Sequence, residues 1–401
     1  MFITMSFTPP EKNIIILGVK INDIPLIEVG HVIDNFLHGK KFQLIFTPNP
    51  EICLRAEQNS RYRDIINQSS LCIPDGVGLK IGAEILGQHL RQRLTGVDLT
   101  SFILDSVNLN REFNKIFIIN NKKGLSNLTD IKKALHKKHP NIIVSGLDIE
   151  KINLPEIKQR IKKEKPDIVF TTLGAPKQEL VLYELQRQGL TGPKLGLAVG
   201  GTFDFITGKQ HRAPVWWRDL GLEWFYRFLK QPKRLGRIAD ATLRFPLVCM
   251  KWRQRIKSRY RDNVVAIIKQ KNKYLIEDNR RFSGHHWQFP QGGITPDEDI
   301  KKAAVREASE ELVASPDLFR VSKILPVHHQ YEFGHYAELI NGYKGQIQKF
   351  VILEYLGKDT DFNLKLSHEI KAIKWVTKKE LLAATNEKRR SAVEKVIPYL
   401  N

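Results

Sequence analysis

Short apolar runs separated by helical patterns characterise the first 200 residues of the chain. Strands that alternate with helices along a chain pair mainly in parallel, with the helices packed on the sheet. The pattern therefore predicts an α/β fold, in which a mostly parallel open sheet has flanking helices. The predicted strands are residues 14–19, 41–46, 115–119, 141–144, 167–171 and 194–199.

The hydrophobic pattern changes in the last 140 residues or so. Two neighbouring apolar runs predict a hairpin, and a Gly-rich loop, one amphipathic helix and two further strands follow. Strands and helices that are segregated in this way are typical of an α+β domain. The predicted elements are a hairpin at 263–269 and 273–277, a helix at 299–312, and strands at 349–355 and 372–376.

A strongly basic segment separates the two patterns. Residues 230–261 hold eleven Lys and Arg against one acid, Asp240, which is about half of the chain's net charge of +21. This excess predicts attraction to phosphates, nucleotides, nucleic acid or an acidic membrane surface. We therefore predict a domain at residues 1–245, a basic, membrane-facing linker at 246–261 and a second domain at 262–401.

Composition excludes several protein classes. The 26 Gly and 19 Pro are close to average usage, which excludes collagen-like and low-complexity chains. Cys53, Cys72 and Cys249 form no CxxC pair, so we expect neither a disulfide framework nor a zinc site. No apolar run reaches the roughly 18–20 residues of a membrane span, and no signal peptide is expected. We expect a cytoplasmic protein that is peripheral at the inner face of the cell membrane.

The most specific motif is WQFPQGGITPDEDIKKAAVREASEELVA, at residues 287–314. Glu307, Glu310 and Glu311 lie at i, i+3 and i+4, so they share one helix face. Clustered carboxylates repel each other, and a hard divalent cation such as Mg²⁺ removes that penalty by taking their oxygens as ligands. The pair Gly292-Gly293 allows close backbone approach to a phosphate. The alternative is a plain acidic helix in solvent.

The spacing resembles the Nudix box, G-x5-E-x7-R-E-U-x-E-E-x-G-U, and the resemblance covers residues 262–401. It implies Mg²⁺- or Mn²⁺-dependent hydrolysis, with Glu307, Glu310, Glu311 and Glu369 as metal ligands. Arg306, Glu310 and Glu369 are the expected catalytic residues, although Glu369 could instead be an isolated acid at a strand edge. The flanking WQFPQGGI and GYKGQIQKF are similar to diadenosine-polyphosphate hydrolases and RNA 5′-pyrophosphohydrolases.

One residue departs from the Nudix box. Val313 occupies the position of the Gly that follows the acidic pair. Glycine there would supply a left-handed helix end without steric cost, and valine disfavours that conformation. We therefore expect the helix to end differently in this chain, with its carboxylates unaffected.

Polar segments follow the predicted strands of the first domain. They are FTPNPEI (46–52), IPDGVGL (73–79), LRQRLTGVDL (90–99), TTLGAPKQE (171–179), VGGTFDFITG (199–208), HRAP (211–214) and GLEWFYRFLKQPKRLGR (221–237). In an open α/β sheet, ligands bind outside the carboxyl ends of the strands. We therefore expect these segments to form one site.

Their order and number resemble the WecB/TagA/CpsF glycosyltransferases, from about residue 13 to residue 244. The resemblance implies inverting transfer of N-acetylmannosamine, or a related sugar, from a UDP donor to a polyprenyl-diphosphate-linked amino sugar, without a required metal. Asp75 matches the proposed general base, although it could simply cap a helix. The expected substrate-binding residues are Thr47, Asn49, Arg93, Gln178, Gly200, Gly201, Arg227, Arg234 and Arg237.

An aromatic stripe with basic neighbours precedes the linker. Such a stripe usually belongs to a core, but it can also lie in a membrane interface. Because the implied acceptor is a lipid, we expect contact with an acidic membrane, and family members often associate as homo-oligomers. The stripe consists of Trp217, Leu220, Trp224, Phe225 and Phe228.

Three functional hypotheses follow. The first is a bifunctional enzyme, a glycosyltransferase fused to a hydrolase of a nucleoside-diphosphate-linked compound. The second keeps the transferase and makes the Nudix domain a nucleotide-sensing module without catalysis. The third is an RNA 5′-end pyrophosphohydrolase whose basic segment binds RNA, which would show steeply salt-dependent binding.

Overall fold

The computed structural model describes residues 13–91, 94–214, 217, 236, 239–280, 284–295, 297–367 and 369–401. The chain divides into two compact units, which are described separately below. The transferase-like unit is Met1–Arg253 with Leu339–Gly342, and the Nudix-like unit is Gln254–Glu338 with Tyr343–Asn401.

The sheet of the transferase-like unit has six strands, which pair in parallel throughout. Their order across the sheet is β4-β3-β8-β7-β5-β6. This confirms the predicted α/β class, because strands and helices alternate along the chain. The strands are β3 (Gln43–Phe46), β4 (Leu71–Cys72), β5 (Lys115–Asn121), β6 (Ile143–Ile149), β7 (Ile168–Thr171) and β8 (Leu195–Ala198).

Helices connect these strands and bury one stripe each against the sheet. Val29 and Ile33 of the first helix pack with Ile103, Ile118 and Phe170 in a single apolar cluster. The helices are α1 (Leu26–His38), α2 (Pro50–Gln58), α3 (Ser60–Asn67), α4 (Gly78–Ile85), α5 (Gly96–Asn110), α6 (Leu128–Lys138), α7 (Leu154–Glu164), α8 (Lys177–Arg187) and α9 (Thr202–Ile206).

The first predicted strand, residues 14–19, is wrong. The structure has an antiparallel hairpin there, β1 (Asn13–Ile16) and β2 (Val19–Asn22), outside the six-stranded sheet. The turn is made by Leu17 and Gly18, with φ of 51° and 81°. Leu17 is fully buried, so the apolar run continues through the turn and hides it in the sequence.

The predicted linker at residues 246–261 is helical over most of its length. Helix α10 (Phe245–Ser258) follows a π-helical turn at Asp240–Arg244, and the division between the two units falls inside it. Phe245, Cys249 and Trp252 are almost completely buried at helical spacing, while Lys251 and Arg253 are exposed. In the described part of the chain no helix is long and apolar enough to cross a bilayer.

The Nudix-like unit is α+β, as predicted, and its mixed sheet has seven strands. Five of them follow the order β11-β10-β9-β14-β13 across the sheet. In addition, β12 pairs with β9, and β15 pairs with β10. Strands β9 and β14 run parallel, and the other pairs are antiparallel. The strands are β9 (Tyr260–Gln270), β10 (Lys273–Asn279), β11 (Trp287–Gln288), β12 (Gln291–Gly293), β13 (Phe319–Glu332), β14 (Gly345–Tyr355) and β15 (Ile370–Thr377).

Among the described residues, three α-helices lie wholly within the Nudix-like unit, and a fourth, at His335–Asn341, runs into the residues Leu339–Gly342 of the transferase-like unit. The longest, α11 (Ile300–Leu312), buries Ala303, Ala304, Ala308 and Leu312 against the sheet. The sequence prediction missed β13, whose exposed and buried residues alternate irregularly. The other helices are α12 (His335–Asn341), α13 (Leu381–Ala384) and α14 (Glu387–Val396).

Candidate active sites

A cleft of about 250 Å³ opens at the carboxyl ends of five parallel strands of the transferase-like unit. The polar segments predicted from the sequence contribute to it from β3, β4, β7 and β8. Because parallel strands end at the same edge of a sheet, residues far apart in the chain meet there. The predicted residues that line the cleft are Thr47, Asn49, Asp75, Gln178, Gly200 and Gly201.

Asp75 follows β4 and is half-buried in this cleft. Its backbone N–H donates to the carbonyl of Pro48 at 2.8 Å. The N-cap residue of α4 is Val77, which makes no side-chain capping hydrogen bond. The role of Asp75 as the base and the alternative that it caps a helix both stay predictions. A Cβ at Gly96, the first residue of α5, would lie 3.8 Å from Asp75 Oδ2. The carboxylate therefore lies beside the amino end of a helix, where the partial positive charge favours an anion.

Thr47 and Asn49 follow β3 and already have partners within the protein. The Thr47 hydroxyl donates to the carbonyl of Ala198 at 3.4 Å. The Asn49 Oδ1 accepts from the N–H of Ile52 at 3.0 Å and so caps α2. Both residues therefore join the strand ends to neighbouring elements and help to fix the wall of the cleft.

Gln178 is 5% exposed and connects α8 to the turn after β8. Its Oε1 accepts from the N–H of Gly200 at 3.0 Å, and its Nε2 donates to Glu179 Oε1 at 2.7 Å. The hydroxyl of Tyr62 donates to Glu179 Oε2 at 3.0 Å. Burial raises the pKa of Glu179. These contacts fix the position of Gly200, whose φ is +52°.

Four further residues line the cleft. Thr172 and Phe205 lie in segments that were expected to form the site, whereas the sequence analysis missed Asn121 and Gln210. Asn121 is the last residue of β5, and its N–H donates to the Thr172 hydroxyl at 3.0 Å. The rule about strand ends would have found Asn121, because it lies just beyond the predicted strand 115–119.

The predicted cations of this site lie outside the described residues. This holds for Arg93, Arg227, Arg234 and Arg237, and for Leu220, Trp224, Phe225 and Phe228 of the aromatic stripe. Trp217 is described, and its N–H donates to the carbonyl of Pro214 at 3.1 Å.

In the Nudix-like unit, Arg306 of α11 is the centre of an ionic network. Its guanidinium donates to Glu298 at 2.7 and 2.8 Å, to Glu307 Oε1 at 2.7 Å and to the carbonyl of Gly293 at 3.0 Å. Glu310 Oε2 lies 3.5 Å from the same Nη1 that contacts Glu307. The hydrogen bonds from Arg306 lower the pKa of Glu298 to about 2. Arg306 therefore fixes the carboxylates of the motif relative to the strand before the helix.

Two carboxylates of this unit are buried side by side. Glu311 is 5% exposed and accepts the N–H of Gln291 at 3.2 Å, while Glu277 of β10 is fully buried. Burial is the main reason that the pKa of Glu311 is well above its usual range, and the charges of Glu277 and Glu369 raise it further. Burial also raises the pKa of Glu277 to about 7. The sequence analysis missed Glu277, which lies outside the motif in β10, between Ile276 and Asp278.

Glu369 and Glu310 are the two remaining acids that were predicted as metal ligands. Glu369 stands immediately before β15, and its N–H donates to the Ser367 hydroxyl at 3.4 Å. Glu310 is the most exposed carboxylate in the network of Arg306, with 64% of its side chain accessible. Across the residues that the structure describes, no three His, Cys, Asp or Glu side chains already converge as a metal-binding group.

Gly292 and Gly293 lie in a strand, β12, and not in a loop as expected. A Cβ at Gly292 would lie 1.9 Å from Glu307 Oε2, and one at Gly293 would lie 2.0 Å from Arg261 Nη2. A side chain at either position would therefore displace the charged end of Glu307 or Arg261 from the strand. Whether the backbone also approaches a phosphate stays a prediction.

The expectation for Val313 is also wrong. Helix α11 does end in a left-handed residue, and Val313 adopts φ 51° and ψ 57° there. Its N–H donates to the carbonyl of Ser309, which closes the last turn. The surrounding fold therefore imposes the conformation that glycine would adopt more easily.

Comparison with family models gives one match for each unit. The Glycosyl transferase WecG/TagA/CpsF family matches residues 14–260, and the NUDIX domain matches residues 259–397. The first match covers more than half of the chain.

Curated relatives match the first part of the chain. A protein of Staphylococcus aureus is 30% identical over 231 residues, which are 56% of this chain and 87% of that protein. One of Bacillus spizizenii is 28% identical over 211 residues, 52% of this chain and 80% of that protein. Both are named N-acetylglucosaminyldiphosphoundecaprenol N-acetyl-beta-D-mannosaminyltransferase.

Solved structures match the second part. A Caenorhabditis elegans Ap4A hydrolase complex is 22% identical and covers 35% of this chain and 97% of its own, with a TM-score of 0.28. A NUDIX hydrolase from Nitrosomonas europaea is 22% identical and covers 34% and 86%, with a TM-score of 0.27.

Proposed function

The chain belongs to the glycosyl transferase WecG/TagA/CpsF family and carries a NUDIX domain, and on that premise we propose a bifunctional enzyme with one active site in each unit. The first site transfers a sugar, and the second hydrolyses a nucleoside-diphosphate-linked compound. Two features favour a catalytic hydrolase over a nucleotide-sensing module. All four acids predicted as metal ligands are present in the second site, and α11 keeps the left-handed end at Val313.

For the first site we propose transfer of N-acetylmannosamine, or a related sugar, from UDP to a polyprenyl-diphosphate-linked amino sugar. The names of the relatives describe this sugar and acceptor for those proteins. The observation that carries the proposal is the position of Asp75 in the cleft, beside the amino end of α5. There its carboxylate takes the proton from the acceptor hydroxyl as the sugar is transferred.

The other residues of this site act on binding and orientation. The turn at Gly200 and Gly201 lines the cleft, and glycine there would let a diphosphate approach the backbone closely. Gln178 holds that turn in place by accepting a hydrogen bond from the N–H of Gly200. Arg93, Arg227, Arg234 and Arg237 are proposed to neutralise the UDP leaving group and the acceptor diphosphate.

The transferase proposal is tested by the release of UDP from UDP-N-acetylmannosamine in the presence of a short-chain acceptor. Asp75→Asn keeps the size of the side chain and removes the base, so we expect at least a 100-fold loss in kcat. Asp34→Asn, on the exposed surface of α1, is the matched control. Equal activity of Asp75→Asn and the control would eliminate Asp75 as the base.

For the second site we propose hydrolysis that depends on Mg²⁺ or Mn²⁺. The buried carboxylates fit such an ion, because Glu277 Oε2 has no hydrogen-bond partner among the described residues and carboxylates are hard oxygen donors. Glu307, Glu310, Glu311 and Glu369 would hold the ion, which when bound neutralises a diphosphate and helps to activate water. Arg306 holds Glu307 by a hydrogen bond, and we propose that the exposed Glu310 accepts a proton.

The hydrolase proposal is tested with a panel of UDP-sugars, diadenosine polyphosphates and 5′-triphosphate RNA, with products separated by chromatography. Cleavage of one class that is lost in Glu310→Gln names the substrate. The matched control is Glu354→Gln, an exposed acid of β14 that pairs with Arg320. If no substrate is cleaved, the nucleotide-sensing alternative replaces the hydrolase.

We further propose peripheral contact with an acidic membrane through the basic segment at 230–261, and self-association of the chain. Eleven basic residues in this segment carry the membrane proposal. Co-sedimentation with vesicles that contain phosphatidylglycerol, but not with phosphatidylcholine vesicles, is expected. Stronger binding to RNA than to acidic vesicles, with a steep salt dependence, would favour the RNA hypothesis instead.

A further inference from the structure

Glu277 is a buried acid that the motif does not contain. It lies in β10 with no exposed surface, between Ile276 and Asp278. Its Oε1 accepts from Gln288 Nε2 at 3.1 Å. Its Oε2 is buried and meets no hydrogen-bond donor in the described part of the chain. An unpaired carboxylate oxygen in such a place is costly unless something else satisfies it.

Two further acids lie near Glu277. Glu311 and Glu369 are close enough for their charges to act on Glu277. Glu311 is itself nearly buried and accepts one backbone N–H, from Gln291. Several carboxylates with few donors around them form an environment that is complementary to a hard cation.

A polar network holds Glu277 in place. Glu277 pairs with Gln288 across β10 and β11, and Gln288 Oε1 accepts from Arg389 Nε at 3.1 Å and from Gln291 Nε2 at 3.0 Å. The same Gln291 donates its backbone N–H to Glu311. One network therefore orients both buried carboxylates, as hydrogen bonds around metal ligands commonly do.

We propose that Glu277 is a further carboxylate ligand of the divalent cation in the Nudix-like unit, beside Glu311 and Glu369. This inference rests on the proposed hydrolase, since it concerns the same ion. It assigns the unpaired Oε2 to the cation and gives Gln288 the role of a positioning residue for that ligand.

The test measures Mn²⁺ binding to the full-length chain without substrate, by electron paramagnetic resonance of the free ion. The variant is Glu277→Gln, which keeps the side-chain shape and the contact with Gln288 but removes the charge. Glu354→Gln is the control for the loss of one charge. Glu277→Asp keeps the charge but shortens the side chain by one methylene group, which moves the carboxylate away from the ion. Circular dichroism checks the fold of each variant.

We expect Glu277→Gln to weaken Mn²⁺ binding by about tenfold or more, Glu277→Asp to be intermediate, and Glu354→Gln to match the wild-type chain. If Glu277→Gln does not fold, unchanged binding by Glu277→Asp overturns the assignment. If a folded Glu277→Gln binds Mn²⁺ as tightly as the wild type, Glu277 is not a ligand although the proposed function stands. If the wild-type chain binds no Mn²⁺, the metal-dependent hydrolase fails, and the assignment fails with it.

Discussion

Replacing Val313 by glycine should stabilise the Nudix-like unit by about 1 kcal/mol. Val313 ends α11 at φ 51° and ψ 57°. An L-residue in this conformation costs about 1–2 kcal/mol, and the branched Cβ of valine places it at the upper end. Glycine avoids that cost but loses about 0.5–1 kcal/mol of chain entropy on folding. Val313 is only half-buried, so the loss of its side chain removes little apolar contact.

The assay is differential scanning calorimetry of the full-length chain, with hydrogen exchange of peptides from α11 to assign the transition. For a unit of this size, 1 kcal/mol corresponds to a rise in Tm of about 4 °C. Val313→Asn should give a smaller rise, since asparagine tolerates the left-handed region, and Val313→Ala should change little. A fall in Tm for Val313→Gly would refute the reasoning, because it would mean that residue 313 is not left-handed in solution.

Two further predictions concern residues that support the two sites. Gly292→Ala places a methyl group 1.9 Å from Glu307 Oε2, so hydrolysis should fall more than tenfold, measured against the transferase activity of the same protein. Tyr62→Phe leaves Glu179 Oε2 without its donor, so the transferase-like unit should lose about 1–3 kcal/mol of stability in urea unfolding. Unchanged hydrolysis in the first variant, or unchanged unfolding in the second, would contradict the packing described here.

The sequence predicted the parallel sheet well because its central strands are short and buried on both faces. Such strands are apolar without interruption, and polar segments mark the points where they end. For the same reason, residues that are far apart in the chain could be placed in one cleft, among them Thr47, Asp75 and Gln178. The hairpin at β1 and β2 was missed because its turn contains the buried Leu17.

The errors in the second unit have a different cause. Val313 shows that a helix end can be imposed by tertiary structure against the preference of the residue. Gly292 was expected in a loop but lies in a strand, where an added Cβ would meet the carboxylate of Glu307, and its role at a phosphate stays a prediction. Glu277 could not be predicted, because its burial and its acidic neighbours from other elements are apparent only after the chain has folded.

The central claim is that one chain carries two independent active sites, and one reciprocal experiment tests it most directly. Sugar transfer and Mg²⁺-dependent hydrolysis are both measured in the wild type, in Asp75→Asn and in Glu310→Gln. We predict that Asp75→Asn loses transfer and keeps hydrolysis, while Glu310→Gln loses hydrolysis and keeps transfer. Loss of both activities in either folded variant would contradict the account.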